Sequence, residues 1–372
     1  MDDSGRSDAL SELDRGRHAH IDSLLALLGL WFVDQEPPPK VEDWNTILDI
    51  AAGTKTAGLV AHLADRAAVP EGIAGRISQM RDAILVRNLR NLDWTTKAVM
   101  ALDTAGIPSL VFKGVLRSKQ VYGAWNVRAS NDIDLLVPRS RYDKAREALK
   151  EAEFAPQVPD DSQWWHRCLG EAPYRRRDSD CPFIDLHQSL QQPGGPYPLD
   201  LESFFDTAIT TRFGGVDLRT PDPLHSILIC AINYGKALRA HDPVIAPLHE
   251  LSYATRGFGP DEEEELHQLA RKQGLRRLVD RSLADAKTMF PYAQGQTDRD
   301  VHSDPVSLAM RPWRERPVLH RTRLIWEWAD GRLLGRVGGF ATGIGRVLMS
   351  NLQHHLEERR GRLALDHTAQ HG

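Results

Sequence analysis

Apolar residues recur at helical spacing between Pro70 and Ala105, where Ile73, Ile77, Met80 and Ile84 form one stripe and Leu85, Leu89 and Leu92 continue it. The spacing predicts one long or one broken amphipathic helix, ended by Gly106. From Ile107 to Phe112 the run reads as a strand, and Val115 to Val121 as a helix. Asp132 to Val137 then alternates with the period of a strand, Pro138 closes it, and Tyr142, Ala145, Ala148 and Leu149 set the face of another helix. Further on, Tyr174-Arg175-Arg176-Arg177, the polar turn Asp178-Ser179-Asp180 and the strand Phe183-Ile184-Asp185-Leu186-His187 predict a β-hairpin. Its three arginines alternate faces and read as a solvated strand edge that discourages aggregation. From Pro221 the helical period returns in Leu224, Ile227, Leu228 and Ala231, and His249 to Tyr253 opens the next helix.

The flanks carry less pattern. Residues 1–20 are polar and expected to fray, Leu24 to Val33 reads as a core helix, and Glu36-Pro37-Pro38-Pro39-Lys40 is a stiff break. Pro- and Gly-rich stretches at 193–198 and 256–260 mark boundaries, while the Gly-dotted 331–346 and the His/Arg-rich tail after 353 suggest no function.

Two carboxylates, Asp132 and Asp134, stand one residue apart on an apolar strand, so both point to one face while Ile133 and Leu135 point to the other. Adjacent negative charges repel and raise one pKa unless a cation neutralises them. Mg²⁺ suits such a site, being commonly held by one or two carboxylates plus substrate phosphates, and a pair of such ions can clamp both oxygens of a phosphoryl displacement. A third acid fits the same chemistry: alternation puts Asp185 with His187 on the face opposite Ile184 and Leu186. His187 reads as a hydrogen-bonded partner rather than a ligand. Lys113-Gly114 at the start of a helix offers a point charge and close backbone approach to phosphate, and Arg128 either binds a triphosphate or holds the loop through an ion pair. No GxxxxGK[ST] loop and no GxSxG elbow occurs, which excludes P-loop and nucleophile-elbow chemistry.

A Lys-Gly after an apolar strand, a helix ending in Tyr122-Gly123, then Arg128, Asp132-Ile133-Asp134-Leu135-Leu136-Val137 and Ile184-Asp185-Leu186-His187 together resemble the uncharacterised nucleotidyltransferase family of the DNA polymerase β-like superfamily. The stretch Leu110 to Phe154 looks like the minimal core of that family, with helical flanks over roughly 40–106 and 220–257 similar in character. The resemblance implies an α+β fold: a small mixed-sheet, polymerase β-like core with N- and C-terminal helical regions. It divides the chain into an N-terminal segment (1–40), a helical region (41–106), a nucleotidyltransferase core (107–220) and a mainly helical region (221–372). It implies Asp132, Asp134 and Asp185 as catalytic metal ligands, with Lys113, Gly114 and Arg128 binding the nucleotide. The implied cofactor is Mg²⁺, with Mn²⁺ as its substitute, and the implied reaction is nucleotidyl transfer from an NTP to an acceptor hydroxyl. Where many relatives in the superfamily carry Gly-Ser at the helix start, this chain carries Lys113-Gly114. That departure keeps open a non-catalytic nucleotide-binding or regulatory module, beside a toxin-like transferase modifying tRNA.

Composition narrows the partners. Lys plus Arg number 47 against 51 Asp plus Glu, for a net charge of −4, so no basic field argues for a long nucleic acid. The acceptor is left as a small molecule, a peptide or protein, or a tRNA end. Cys168, Cys181 and Cys230 are odd in number and lack metal-ligand spacing, favouring reduced thiols in a cytoplasm. The apolar run at Leu24 is too short for a membrane span.

Overall fold

The computed structural model describes residues 18–33, 37–177, 180–291, 309, 317–331 and 333–359. The fraying expected of the first residues falls mostly outside this set, as do the turn residues Asp178 and Ser179 and the tail beyond 359.

Helix α1 (residues 18–29) buries Leu24, Leu27 and Leu28. Helix α2 (Trp44–Gly53) starts where the Asp43 side chain accepts from Thr46 N at 3.1 Å, satisfying an amide that has no partner within the helix. After α3 (Ala57–His62), helix α4 runs unbroken over Glu71–Thr104, and its C-terminal half lies buried against the sheet through Leu92, Ala98, Val99 and Leu102.

Strand β1 (Leu110–Val111), helix α5 (Gly114–Tyr122), strand β2 (Asp132–Leu136), helix α6 (Tyr142–Glu151) and strand β3 (Phe154–Pro156) follow in order. A π-helical turn (Trp164–Leu169) leads into β4 (Glu171–Arg176), which pairs antiparallel with β5 (Phe183–His187). The five-stranded sheet has the order β1-β2-β5-β4-β3, with β2 and β5 parallel and the other pairs antiparallel. This is a mixed sheet in an α+β fold.

Two expectations need correction. The first strand is shorter than Ile107 to Phe112, because its partner β2 ends at Leu136, opposite Leu110. Arg175 and Arg176 do not form a sheet edge: β3 pairs outside them, matching Phe154 to Arg176 and Ala155 to Arg175. Arg175 donates to Cys181 O at 3.0 Å and lies over the Phe183 ring, while Arg176 pairs with Glu153.

Short helix α7 (Ser203–Asp206) precedes a hairpin of β6 (Ile209–Phe213) and β7 (Val216–Thr220), turned by Gly214 and Gly215 at φ +56 and +82. Helix α8 (Pro223–Ala240) is capped by Asp222, which accepts from Leu224 N and His225 N, with Pro223 in the first turn. Helices α9 (Ile245–Thr255), α10 (Pro260–Lys272), α11 (Arg276–Met289), α12 (Pro317–Trp328) and α13 (Leu333–Arg359) complete the described chain. None of the described helices is long and apolar enough to cross a membrane.

Two cores share the sheet. Ile133, Leu135, Ile184 and Leu186 face α4 and α6 in one, whereas Leu110, Phe112 and Leu136 join the core of α1–α3 and α8–α11. The acids of β2 and β5 project on the second side, between sheet and helices, where a charged cleft can exist without disturbing either core.

Candidate active site

The parallel register sets Asp134 directly against Asp185 and Ile133 against Ile184. Asp132 stands at the exposed start of β2, one pleat from Asp134 on the same face. Lys113 closes the cluster from the β1 side, its Nζ 2.9 Å from Asp134 Oδ1. Asp132, Asp134, Asp185, Lys113 and Gly114 are thus brought together. Arg128 is not turned to the acids: its Nη1 lies 3.1 Å from Glu250 Oε2 on α9.

The backbone explains why Lys113-Gly114 can stand at the helix start. Gly114 has φ +65, a region that favours glycine, and a Cβ there would meet Ser130 Oγ at 2.7 Å. Ser130 in turn donates to Asp132 O at 2.7 Å, so the helix start and the first acid are tied through one hydroxyl.

The loop before β2 is held from α4. Asn88 Nδ2 donates to Trp125 O and Arg128 O, its Oδ1 accepts from Ser130 N at 3.1 Å, and Asn91 Nδ2 donates to Ser130 O at 2.8 Å. Arg87 adds a bond to Asn131 Oδ1 at 2.7 Å. Behind the loop, Glu250 accepts from Arg117 Nε at 2.6 Å and from the Cys230 thiol at 3.1 Å.

His187 bridges two carboxylates. Its Nε2 is 3.2 Å from Asp134 Oδ1 and its Nδ1 is 3.2 Å from Glu171 Oε2, while the Phe112 ring packs perpendicular to the imidazole. Gln192 Nε2 donates to the other Glu171 oxygen at 3.0 Å.

The electrostatics follow from this packing. Burial opposes ionisation of Asp134, yet Lys113 and His187 outweigh it and hold its carboxyl far below the usual carboxylate range. Burial also works against a charged His187, but Asp134 and Glu171 lift the imidazole to about 9; Glu171, opposed by burial, is drawn down to about 2, chiefly by His187. Asp185 behaves oppositely. Burial, with Asp134, Asp132 and Glu171 adding to it against His187, pushes Asp185 up to about 7, and Asp132 is shifted upward by burial and by Asp134. Half-buried Lys236 on α8 is pushed down to about 8 by burial and by Lys113.

This donor set fits a divalent cation. Ligand atoms of Asp134, Asp185 and His187 all lie within 4.8 Å of one another, and the Asp185 side chain has no hydrogen bond or ion pair among the described residues. An acid crowded by Asp134, Asp132 and Glu171, with the His187 imidazole acting the other way, is where a metal ion would relieve the most repulsion.

Sequence reasoning missed Glu171, Lys236, Glu250 and the two asparagines. Glu171 carried one usable signal, since it alternates with Pro173 and Arg175 on a strand, but only the register reveals that it faces His187. Lys236 and Glu250 lie on helices whose stripes read simply as core, and Asn88 and Asn91 look like polar positions on an exposed helix face.

Comparison with known proteins agrees with the chemistry of the cleft. The family described as "Uncharacterised nucleotidyltransferase" matches residues 40–291. Among solved structures, the antibiotic-resistance factor ANT(2'')-Ia is similar at 14% identity and a TM-score of 0.33, covering 48% of this chain and 90% of its own. An antigenic nucleotidyltransferase-like protein from Paracoccidioides brasiliensis is similar at 16% identity and a TM-score of 0.30, covering 50% of this chain and 91% of its own. No curated protein matches.

Proposed function

We propose, given that the chain belongs to the uncharacterised nucleotidyltransferase family, that it transfers a nucleotidyl group from an NTP to an acceptor hydroxyl with release of pyrophosphate. Family membership carries transferase chemistry as such; the metal, the donor and the acceptor are the proposal. The observation that supports it is the facing pair Asp134 and Asp185, with Asp132 one pleat away and Lys113-Gly114 beside them at the start of α5.

Asp132, Asp134 and Asp185 would hold Mg²⁺, which supplies charge neutralisation of the triphosphate and polarisation of the reacting phosphate. The amides at the start of α5 face the phosphates, and Gly114 lets the chain approach without a side chain between. Lys113 binds the triphosphate as a point charge, and Arg128, paired with Glu250, adds its positive field near Asp132 from the loop. Asp185 receives the proton of the acceptor hydroxyl. In-line transfer of this kind depends mostly on alignment and charge, which the Asn88 and Asn91 bonds to the loop enforce.

The acceptor side is the helical one. Next to Glu171 and His187, at Gly170 and Gln188, a cavity of about 420 Å³ opens toward α13, lined also by Arg167, Tyr197 and Arg346. It has room for a small molecule or the end of a peptide or tRNA. The proposed compartment is the cytoplasm, consistent with three free cysteines.

Calorimetric titration with non-hydrolysable analogues of the four NTPs, with and without Mg²⁺, tests this reading on the wild type and on Asp134→Asn. Metal-dependent binding by the wild type alone is expected. Absence of binding to every nucleotide would overturn it and leave the acids to a non-catalytic module.

A further inference from the structure

Resting on the nucleotidyltransferase reading, we infer that His187 is itself a metal ligand: with Asp134 and Asp185 it forms a mixed nitrogen–oxygen site, oriented by Glu171, that favours Mn²⁺ over Mg²⁺. The geometry begins with the convergence of the three ligand atoms within 4.8 Å, on two strands whose parallel register sets Asp134 against Asp185. His187, two residues beyond Asp185 on the same strand face, is 3% exposed. Its ring is held perpendicular to that of Phe112, with centroids 5.0 Å apart and an 87° interplanar angle, and by Glu171 Oε2 at 3.2 Å from Nδ1.

That arrangement is the one metal-bound histidines commonly show, with one ring nitrogen on the ion and the other directed at a carboxylate. Coordination through the Nε2 lone pair puts the ring proton on Nδ1, the nitrogen that faces Glu171. A purely structural imidazolium donating to Asp134 and Glu171 would account for both contacts, and Glu171 is held by Gln192 on its other oxygen as an orienting group would be. It would not explain Asp185, an acid against Asp134 with no ion pair of its own among the described residues. A cation among the three satisfies both acids. Asp132 lies outside the group and is left for the ion that accompanies the nucleotide.

The donor set decides the metal. Mg²⁺ is hard, strongly hydrated and usually bound by oxygen alone, whereas imidazole suits transition metals. One nitrogen among the ligands therefore shifts preference toward Mn²⁺.

The test uses metal-free full-length protein without nucleotide. Calorimetry compares Mn²⁺ with Mg²⁺, and pulsed electron paramagnetic resonance of the Mn²⁺-loaded protein looks for coupling to a directly bound ¹⁴N. We expect Mn²⁺ to bind about tenfold or more tightly than Mg²⁺, with a nitrogen coupling that His187→Gln removes. Glu171→Gln keeps a polar side chain beside Nδ1 and should weaken Mn²⁺ binding about ten- to a hundredfold. Failure of Mn²⁺ to bind, Mn²⁺ without nitrogen coupling in the wild type, or affinity for Mg²⁺ at least equal to that for Mn²⁺ would each overturn the inference. The wild-type spectrum needs no variant to fold. Because turnover is not involved, these failures leave nucleotidyl transfer standing, while a nitrogen-coupled site in a protein that binds no NTP would sink the transfer reading alone.

Discussion

Lys113 Nζ and Asp134 Oδ1 stand 2.9 Å apart across the cleft, so the residue that opens α5 is held by the carboxylate it would leave when a triphosphate arrives. The pair is largely buried, with side chains 17% and 6% exposed. Lys113→Ala removes one charge-assisted bond of a class worth about 1.5–3 kcal/mol. We expect kcat/KM for the nucleotide to fall about ten- to a hundredfold by pyrophosphate release, with the fold retained by circular dichroism. Unchanged kinetics would show that Lys113 only neutralises Asp134.

Gly114→Ala combines a left-handed backbone with a Cβ placed 2.7 Å from Ser130 Oγ. The expected loss of stability is about 1–3 kcal/mol, read as a lower denaturant midpoint. Adding Ser130→Ala should recover only part of it, because removing the hydroxyl relieves the clash but not the backbone strain; full recovery would mean that the clash was the whole cost.

Glu250 is the shared partner of Arg117 and Arg128, and its removal leaves a buried guanidinium unpaired. Glu250→Ala should cost about 3–5 kcal/mol in equilibrium unfolding. Burial raises its carboxyl, but Arg128 and Arg117 outweigh this and draw it down to about 2. Stability from this group is therefore present above the ordinary carboxylate range and lost as pH falls through about 2. Equal acid sensitivity in wild type and Glu250→Gln would contradict it.

His249 contributes at higher pH. Buried among Trp31, Phe32, Tyr253 and Phe290, it is pushed down to about 3 by burial. The unfolded chain takes the proton first, so stability is fully present above about 6.5 and declines as pH falls, at up to about 1.4 kcal/mol per pH unit. His249→Phe should flatten that slope between pH 6 and roughly 4 in thermal or urea denaturation. An unaltered slope would assign the acid sensitivity to other groups.

Asn88 supports the loop before Asp132 with three bonds, to Trp125 O, Arg128 O and Ser130 N. Asn88→Leu keeps volume and removes every bond, leaving buried backbone groups unpaired at about 1–3 kcal/mol each. Transfer should fall by more than the unfolded fraction explains. Activity proportional to folded protein would limit Asn88 to stability.

The acids and their strands were legible because period-two alternation on an apolar run fixes which side chains share a face, and that is all Asp132, Asp134 and Asp185 require. The long helix α4 was legible for the same kind of reason. What stayed hidden is register and distance. The facing of Glu171 and His187 depends on where the hairpin turns, which the polar run 177–182 does not determine, and Arg117 meets Glu250 across 133 residues. The misplaced sheet edge came from the same gap: Phe154-Ala155-Pro156 is too short to read as a strand, yet it covers Arg175 and Arg176.

Glu357 on α13 accepts from Ser162 Oγ and from the amides of Gln163 and Trp164, at the head of the π-helical turn that leads into β4. The clamp stands 195 residues downstream of Ser162. At a synthesis rate of about 5–20 residues per second, roughly ten to forty seconds separate the emergence of the turn from the arrival of its support. During that interval the strand bearing Glu171 must find its place in the sheet from its neighbours alone, so the cleft acquires its final form well after its own strands have been made.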